Sequence, residues 1–386
     1  MAILGTFLTR SGIISSVHAF AQSSIGGWFK WFLLITLAAF TFFFFKNKSH
    51  LRSEHKLESL ISRESSFLFN NLLLLLACFT VLWGTWFPLI SEYVQGNKVT
   101  VGPPFYNKVA IPVALLLLLL TAVGPLLAWR KTSLESLRRN FMWPGLGALT
   151  VGIVMIAFGV RPWTDIAYFY ALMAAMLAAL VALTVTSEFM RGGRVISRHT
   201  GQNLLASMVH LFHRNTRRYG GYIVHFGVAV VIIGILGTPF NQDKEKEMGY
   251  GDRMAIGPYT LVCESYTQDD NPNYSNEWAI INVFKGDRQI TTMYPERRFY
   301  KASQQPQTLP RIRSTVKEDL YLTYEGLNET TGRPIIKAHL NPLVIWIWVG
   351  VLIMIGGTVL GLIPNAAPIR VAAPARIETA PAGAGD

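Results

Sequence analysis

The hydrophobic positions of this chain fall in blocks rather than in strict alternation. Near-continuous apolar runs cover roughly 27–45, 68–90, 108–129, 142–160, 165–189, 219–238 and 342–363. Runs of about 18 or more apolar residues, rising ~1.5 Å per residue, cross the ~30 Å hydrocarbon core of a bilayer. The pattern therefore predicts seven transmembrane helices. Residues 1–14 form a further apolar stretch that reaches only about 21 Å, too short to span. It reads as the outer part of a helix whose beginning is missing.

The pattern changes between 239 and 341. Asp, Glu, Lys, Asn and Gln rise, and apolar residues come in short mixed runs at Tyr259–Tyr266, Trp278–Phe284 and Leu320–Tyr324, bounded by Gly, Asp, Asn or Pro. Such runs predict strands of a small β-domain. Asn341-Pro342 is expected to open the last span, and the Ala- and Pro-rich tail 364–386 is expected to be disordered. The fold class is thus an α-helical polytopic membrane protein, with about seven transmembrane helices, a partial N-terminal helix and a small extracytoplasmic β-rich domain. Its parts are a partial helix and loop (1–26), a helical bundle (27–238), the β-rich domain (239–341), a final span (342–363) and the tail.

Composition agrees: 51% of the 386 residues are hydrophobic and only 15% are charged. The net charge of +12 raises nucleic acid as a partner, but its distribution argues against that. Basic residues crowd into 46–66, 129–140 and 190–218, read here as turns, while the intervening turns carry few. Lys and Arg are retained on the cytoplasmic side. Topogenic charge therefore accounts for the basicity, and the expectation is membrane lipid around the chain and no nucleic acid. This orientation puts 14–26 and 239–341 outside the cytoplasm. The two cysteines, Cys78 and Cys263, fall in different environments and form no Cys-x-x-Cys pair. Ala19-Phe20-Ala21 looks like a cleavage site, but without a charged n-region it does not read as a signal peptide.

Two histidines carry the candidate chemistry. His225 lies within the sixth span, and an ionisable side chain there is costly and points to function. His18 lies just before the first span, on the outer face. Imidazole is a common axial ligand for haem iron. On the residues alone, His18 reads as an ordinary loop histidine sooner than as a ligand, and His225 is balanced between ligand and packing. Gly220, Gly227 and Gly234 recur every seven residues, and Gly221 lies one turn before His225. Such a smooth stripe admits either another helix or a flat cofactor. Trp28, Trp31 and Phe29 follow His18 closely; they suit an interfacial aromatic belt or an apolar shelf for a porphyrin. The remaining histidines are expected to be solvated or interfacial.

Several strings then point to one family. They include Ser16-Val17-His18-Ala19-Phe20-Ala21, Ser62-Arg63-Glu64-Ser65, Gly102-Pro103-Pro104-Phe105-Tyr106-Asn107, Arg217-Arg218-Tyr219-Gly220-Gly221-Tyr222-Ile223-Val224-His225, Pro295-Glu296-Arg297-Arg298-Phe299-Tyr300 and Asn341-Pro342-Leu343-Val344-Ile345-Trp346-Ile347-Trp348. In these the chain resembles the CcmF family, the haem-lyase subunit of cytochrome c maturation. The likeness is to the C-terminal part of that family, since the Trp-rich external motif has no counterpart here.

The resemblance implies haem attachment to apocytochrome c through thioether bonds. It implies His18 as a ligand to the haem delivered for transfer, and His225 as a ligand to a resident haem b, with Gly221 and Trp28 beside the cofactors. Implied partners are the missing N-terminal haem-lyase half, a haem chaperone of the CcmE type, and apocytochrome c with its CcmH-type thiol-reducing or chaperone subunits. The chain would then be half of a naturally split lyase or a shortened reading frame, in a bacterial inner membrane. Arg297-Arg298-Phe299-Tyr300 could meet haem propionates or a partner, or form ion pairs within the β-domain. Two other classes remain in view: a non-catalytic module that docks the chaperone and apocytochrome, and a transporter. The transporter is disfavoured by the scarcity of intramembrane carboxylates and the lack of paired broken helices.

Overall fold

The computed structural model describes residues 2–10, 25–51 and 57–364. His18 and the tail beyond 364 lie outside the described residues. The helices are α1 (Ala2–Arg10), α2 (Ile25–Lys46), α3 (Arg63–Gln95), α4 (Pro103–Val123), α5 (Leu134–Ala157), α6 (Ile166–Thr200), α7 (Leu204–Arg214), α8 (Thr216–Ile235) and α9 (Ile345–Leu362). Among the described residues, seven helical segments are long and apolar enough to cross a membrane: α2, α3, α4, α5, α6, α8 and α9. The chain divides into two compact units. One holds residues up to Leu117 together with Leu126–Ser133; the other holds Leu118–Pro125 and everything from Leu134 onward.

Local chemistry sets the helix ends. The Ser62 hydroxyl accepts from the Ser65 N–H at 3.1 Å to start α3, and Gly96 ends it at φ 71°. Asp165 caps α6 by accepting from the Ala167 N–H at 2.7 Å. Asn203 caps α7 by accepting from the Ala206 N–H at 2.8 Å. Each cap satisfies a backbone donor that the first turn leaves orphaned.

The stretch 190–218, read from the sequence as a turn, is instead largely helical. The α6 helix continues to Thr200, turns at Gly201 (φ 71°), and α7 packs back along it. Leu204, Met208 and Leu211 recur at helical spacing and face α6, a periodicity that the surrounding arginines concealed. At ~1.5 Å per residue the 35 residues of α6 extend about 52 Å, well past the ~30 Å apolar core of a bilayer.

Residues 242–342 form two antiparallel sheets around one core. The strands are β1 (Gln242–Glu247), β2 (Arg253–Ile256), β3 (Tyr259–Asp270), β4 (Tyr274–Lys285), β5 (Arg288–Met293), β6 (Glu296–Tyr300), β7 (Gln305–Leu309), β8 (Arg311–Ser314), β9 (Glu318–Leu327) and β10 (Pro334–Pro342). One sheet runs β1-β10-β9-β8; the other runs β2-β3-β4-β6-β7, with β5 also paired to β4. Inward positions alternate as a half-buried strand requires: Tyr259, Leu261 and Cys263 on β3; Leu320, Leu322 and Tyr324 on β9; Ile336, Ala338 and Leu340 on β10. The edge strand β1 is wholly polar, which discourages strand addition. Its Lys244 and Lys246 ammonium groups donate to the Ala255 and Arg253 carbonyls of β2, closing the seam between the sheets.

The last span begins later than Asn341-Pro342 suggests. Pairing of β10 with β9 persists to Pro342, so those residues belong to the sheet. Leu343 then turns the chain at φ 65°, its N–H donating to the Lys317 carbonyl at 2.8 Å. The Trp346 indole N–H donates to the Val316 carbonyl at 3.1 Å. These bonds tie the start of α9 to the β8–β9 turn.

Cys263 is fully buried in the β core. Burial, with Asp252 nearby, pushes its thiol up to about 11. Because the thiolate is the nucleophile, native protein at neutral pH is expected to resist maleimide, and unfolding in guanidinium to restore full labelling. The same shift favours the folded state below the thiol's ordinary value and is lost as pH rises toward 11. Mass spectrometry of native and denatured samples checks the labelling.

Candidate haem-ligand site

The candidate site is built on α8, and α9 fixes where that helix lies. Gly220, Gly227 and Gly234 face α9, whose own Gly350 and Gly357 face back. A Cβ at Gly227 would stand 2.9 Å from the Gly350 carbonyl oxygen, and one at Gly234 2.6 Å from the Ile347 nitrogen. The seven-residue stripe therefore receives a helix, not a flat cofactor. Small residues on both partners bring the backbones together, which is how helices gain packing energy in lipid.

His225 stands off that stripe, half-buried. Its Nδ1 is enclosed and has no hydrogen-bond partner. Buried ring nitrogens are normally paired, so an orphan of this kind calls for an explanation such as a ligand or an ion. Gly221, one turn earlier, has nothing within 4 Å of where a Cβ would stand, so the space beside it is open. His225 and the uncrowded Gly221 share one face of α8, which suits a planar group lying against that face. Among the described residues no cluster of three or more His, Cys, Asp or Glu side chains could hold a metal ion.

A polar network lies about 10 Å from His225 along the helix axis. The Glu188 carboxylate on α6 accepts from the Arg218 guanidinium at 3.1 Å and lies 3.7 Å from that of Arg191. Arg191 in turn donates to Asn140 Oδ1 at 2.5 Å and to the Arg139 carbonyl at 2.6 Å. The Arg218 guanidinium sits over the rings of Tyr222 and Tyr219, at 5.7 and 5.9 Å. These contacts lock α5, α6 and α8 together at the end of the spans. The apolar pattern alone does not single out Glu188, although it stands near the end of the 165–189 run, three residues before Arg191.

The other candidates fall out as follows. Trp28 is 76% exposed on α2, in the other compact unit from His225. His18 lies outside the described residues. The Arg297–Tyr300 string resolves into internal bonds. Arg297 donates to the Glu325 carbonyl at 2.8 Å, and Arg298 pairs with Glu296 at 3.2 Å while covering the Tyr274 ring. His339 pairs with Asp243 at 2.5 Å across β10 and β1.

Comparison with known proteins bears on the same elements. Residues 239–342 match the family model of the CcmF C-terminal beta-sandwich. The chain is 31% identical over 367 residues to the cytochrome c-type biogenesis protein CcmF of Pseudomonas aeruginosa, covering 94% of this chain and 53% of that one. To the biogenesis protein CycK of Rhizobium meliloti it is 32% identical over 384 residues, covering 98% and 55%. The chain belongs to the CcmF family. It spans about half the length of the curated CcmF relatives it matches. A solved structure of the cytochrome c heme lyase CcmF overlays with a TM-score of 0.71 at 23% identity, covering 94% of this chain and 52% of that one, and establishes the shared fold.

In this chain, Glu188→Gln is expected to leave Arg218 and Arg191 without their counter-charge. The Glu188 side chain is only 16% exposed. Its coupling to Arg218 is therefore expected at about 1–3 kcal/mol, above the value for a solvent-exposed pair. A double-mutant cycle of Glu188→Gln and Arg218→Gln, followed by thermal unfolding in detergent, measures it; a coupling near zero would mean the pair is incidental.

Proposed function

We propose that this chain is the C-terminal part of a haem lyase that attaches haem to apocytochrome c, acting with a polypeptide that supplies the remainder. The observation that carries the reading is the orphaned, half-buried His225 beside the open space at Gly221. The cytochrome c biogenesis role of the relatives supports it.

In this reading His225 presents a neutral imidazole to a resident haem b, and the α8–α9 glycine contact holds that imidazole in place. The resident haem, when bound, supplies an electron that keeps the substrate haem ferrous. His18 grips the substrate haem at the outer face, and Trp28 offers it an apolar surface. The lyase reaction adds each apocytochrome thiol S–H across a haem vinyl C=C. A C–S bond forms and the proton ends on carbon, so the addition has no net redox change. The partners are the companion lyase half, a CcmE-type haem chaperone, and apocytochrome c with its CcmH-type subunits. The alternation of basic segments supports a bacterial inner-membrane protein with residues 239–341 in the periplasm.

The test is the absorbance spectrum of the purified assembly, with and without the co-expressed companion half, alongside cytochrome c yield. A b-type Soret band and c-type cytochrome are expected only when both parts are present. An assembly that stays colourless yet still retains apocytochrome would sink the lyase reading and favour a docking module.

A further inference from the structure

The hairpin formed by the end of α6 and by α7 carries charge in excess of what its own fold neutralises. Residues 190–218 contain six arginines, and no aspartate or glutamate occurs between Phe189 and Gln242. Glu188 takes up Arg191 and Arg218. Arg194, Arg198, Arg214 and Arg217 are exposed and make no ion pair with the described residues. Topogenesis needs positive charge but no fixed geometry; a flexible loop retains a chain on one side equally well. Here the charge is held rigidly instead. Side chains of α7 pack onto Gly192 and Gly193 of α6, where added Cβ atoms would meet Leu211 at 2.5 Å and Met208 at 2.9 Å.

Beneath the charge is an apolar pocket of about 280 Å³, lined by Val185, Phe189 and Met190 of α6, Met208 of α7, and Ile223 and Phe226 of α8. Arg194 and Arg198 stand one and two turns beyond Met190 on the same stripe of α6. On α7, Leu205 and Val209 expose apolar surface beside His210, His213 and Arg214. Guanidinium groups one helical turn apart, above a greasy slot at the end of a membrane span, match a phosphodiester joined to an acyl chain.

We propose that the α6–α7 hairpin binds an anionic phospholipid, with its phosphate at Arg194 and Arg198 and part of an acyl chain in the pocket at Met190 and Met208. The site is independent of the haem reading, since none of these residues is assigned to a cofactor. Its consequence is that an anionic leaflet seats and stiffens the same helices that carry Glu188 and His225.

The experiment uses the full chain in its assembly, reconstituted in phosphatidylcholine nanodiscs. Chain-spin-labelled phosphatidylglycerol or phosphatidylcholine is added, and the immobilised fraction is read by electron spin resonance. Wild type should immobilise the phosphatidylglycerol label at least several-fold more strongly, with the preference fading as salt rises. Arg194→Gln/Arg198→Gln should abolish the preference, whereas Arg194→Lys/Arg198→Lys, which keeps the charge, should retain most of it. Met190→Trp should fill the pocket and lower immobilisation without altering charge. Free glycerol phosphate should not displace the label. Equal immobilisation of both labels by wild type, persistence of the preference in the glutamine variant, or displacement by glycerol phosphate would each overturn the proposal.

Discussion

Replacing Gly227 by leucine is expected to push α8 away from α9 and to lower both the yield and the melting temperature of the folded protein. A Cβ at this position would stand 2.6 Å from Met354 Cγ, 2.9 Å from the Gly350 carbonyl oxygen and 3.0 Å from the Met354 nitrogen. Met354 could swing away, but the backbone of α9 could not do so without losing its contacts along the Gly220–Gly234 stripe. Overpacking a well-fitted site costs about 1–3 kcal/mol, and a clash with backbone lies at the upper end or beyond. That is a large fraction of a typical stability of about 5–15 kcal/mol. Gly221→Leu on the same helix is the control. Nothing stands within 4 Å of its Cβ position. It is expected to fold normally while crowding the open side of His225. Size-exclusion profiles and thermal melts of the two variants check the difference; equal melts would mean that the α8–α9 contact yields to a side chain.

Replacing His225 is expected to remove the b-type Soret band of the complete assembly while leaving the protein folded. The His225→Ala variant should retain no band above background, because in the proposed function His225 is the side chain that would hold the resident haem. The Nδ1 of His225 is enclosed without a partner. An unpaired buried polar atom carries a desolvation cost of about 1–3 kcal/mol, so exchange for an apolar side chain of similar size loses nothing in the colourless state. His225→Leu should therefore melt no lower than haem-free wild type. A band of normal intensity in His225→Ala would exclude the ligand role. Loss of the band together with a fall in melting temperature in His225→Leu would point to a packing role instead. Gly221→Leu adds a third reading, since loss of the band in a stably folded protein with His225 intact would place the cofactor on that face of α8.

Much of the fold was legible in the chain. The seven spans appear as apolar runs because lipid leaves a backbone no choice but to satisfy its own hydrogen bonds, and a long apolar helix does so. Parts of three strands, 259–266, 278–284 and 320–324, show as short mixed apolar runs bounded by turn residues, and the full strands extend them to 259–270, 274–285 and 318–327. The hairpin of α6 and α7 was hidden because its helical period is carried by few apolar residues among many arginines. The boundary between β10 and α9 was hidden because Asn341-Pro342 resembles a helix start, while the ladder that holds it depends on β9, some twenty residues earlier.

The candidate site divides in the same way. His225 and the glycines around it could be picked out from the sequence, since a histidine in an apolar run is costly wherever that run packs. Which glycines receive a helix and which one leaves space depends on where α9 docks, and that is fixed by matching small residues on two segments more than a hundred positions apart in the chain. The pairing of Glu188 with Arg218 and Arg191 is likewise settled by three helices meeting, because the partner of a charge is whichever opposite charge the packing brings within reach. The sequence by itself determined which segments enter lipid, which form strands and which side chains are costly to bury, all of them local properties of transfer free energy and periodicity. The tertiary structure alone decided which faces touch, since contact between distant segments depends on shape and on the whole set of competing packings.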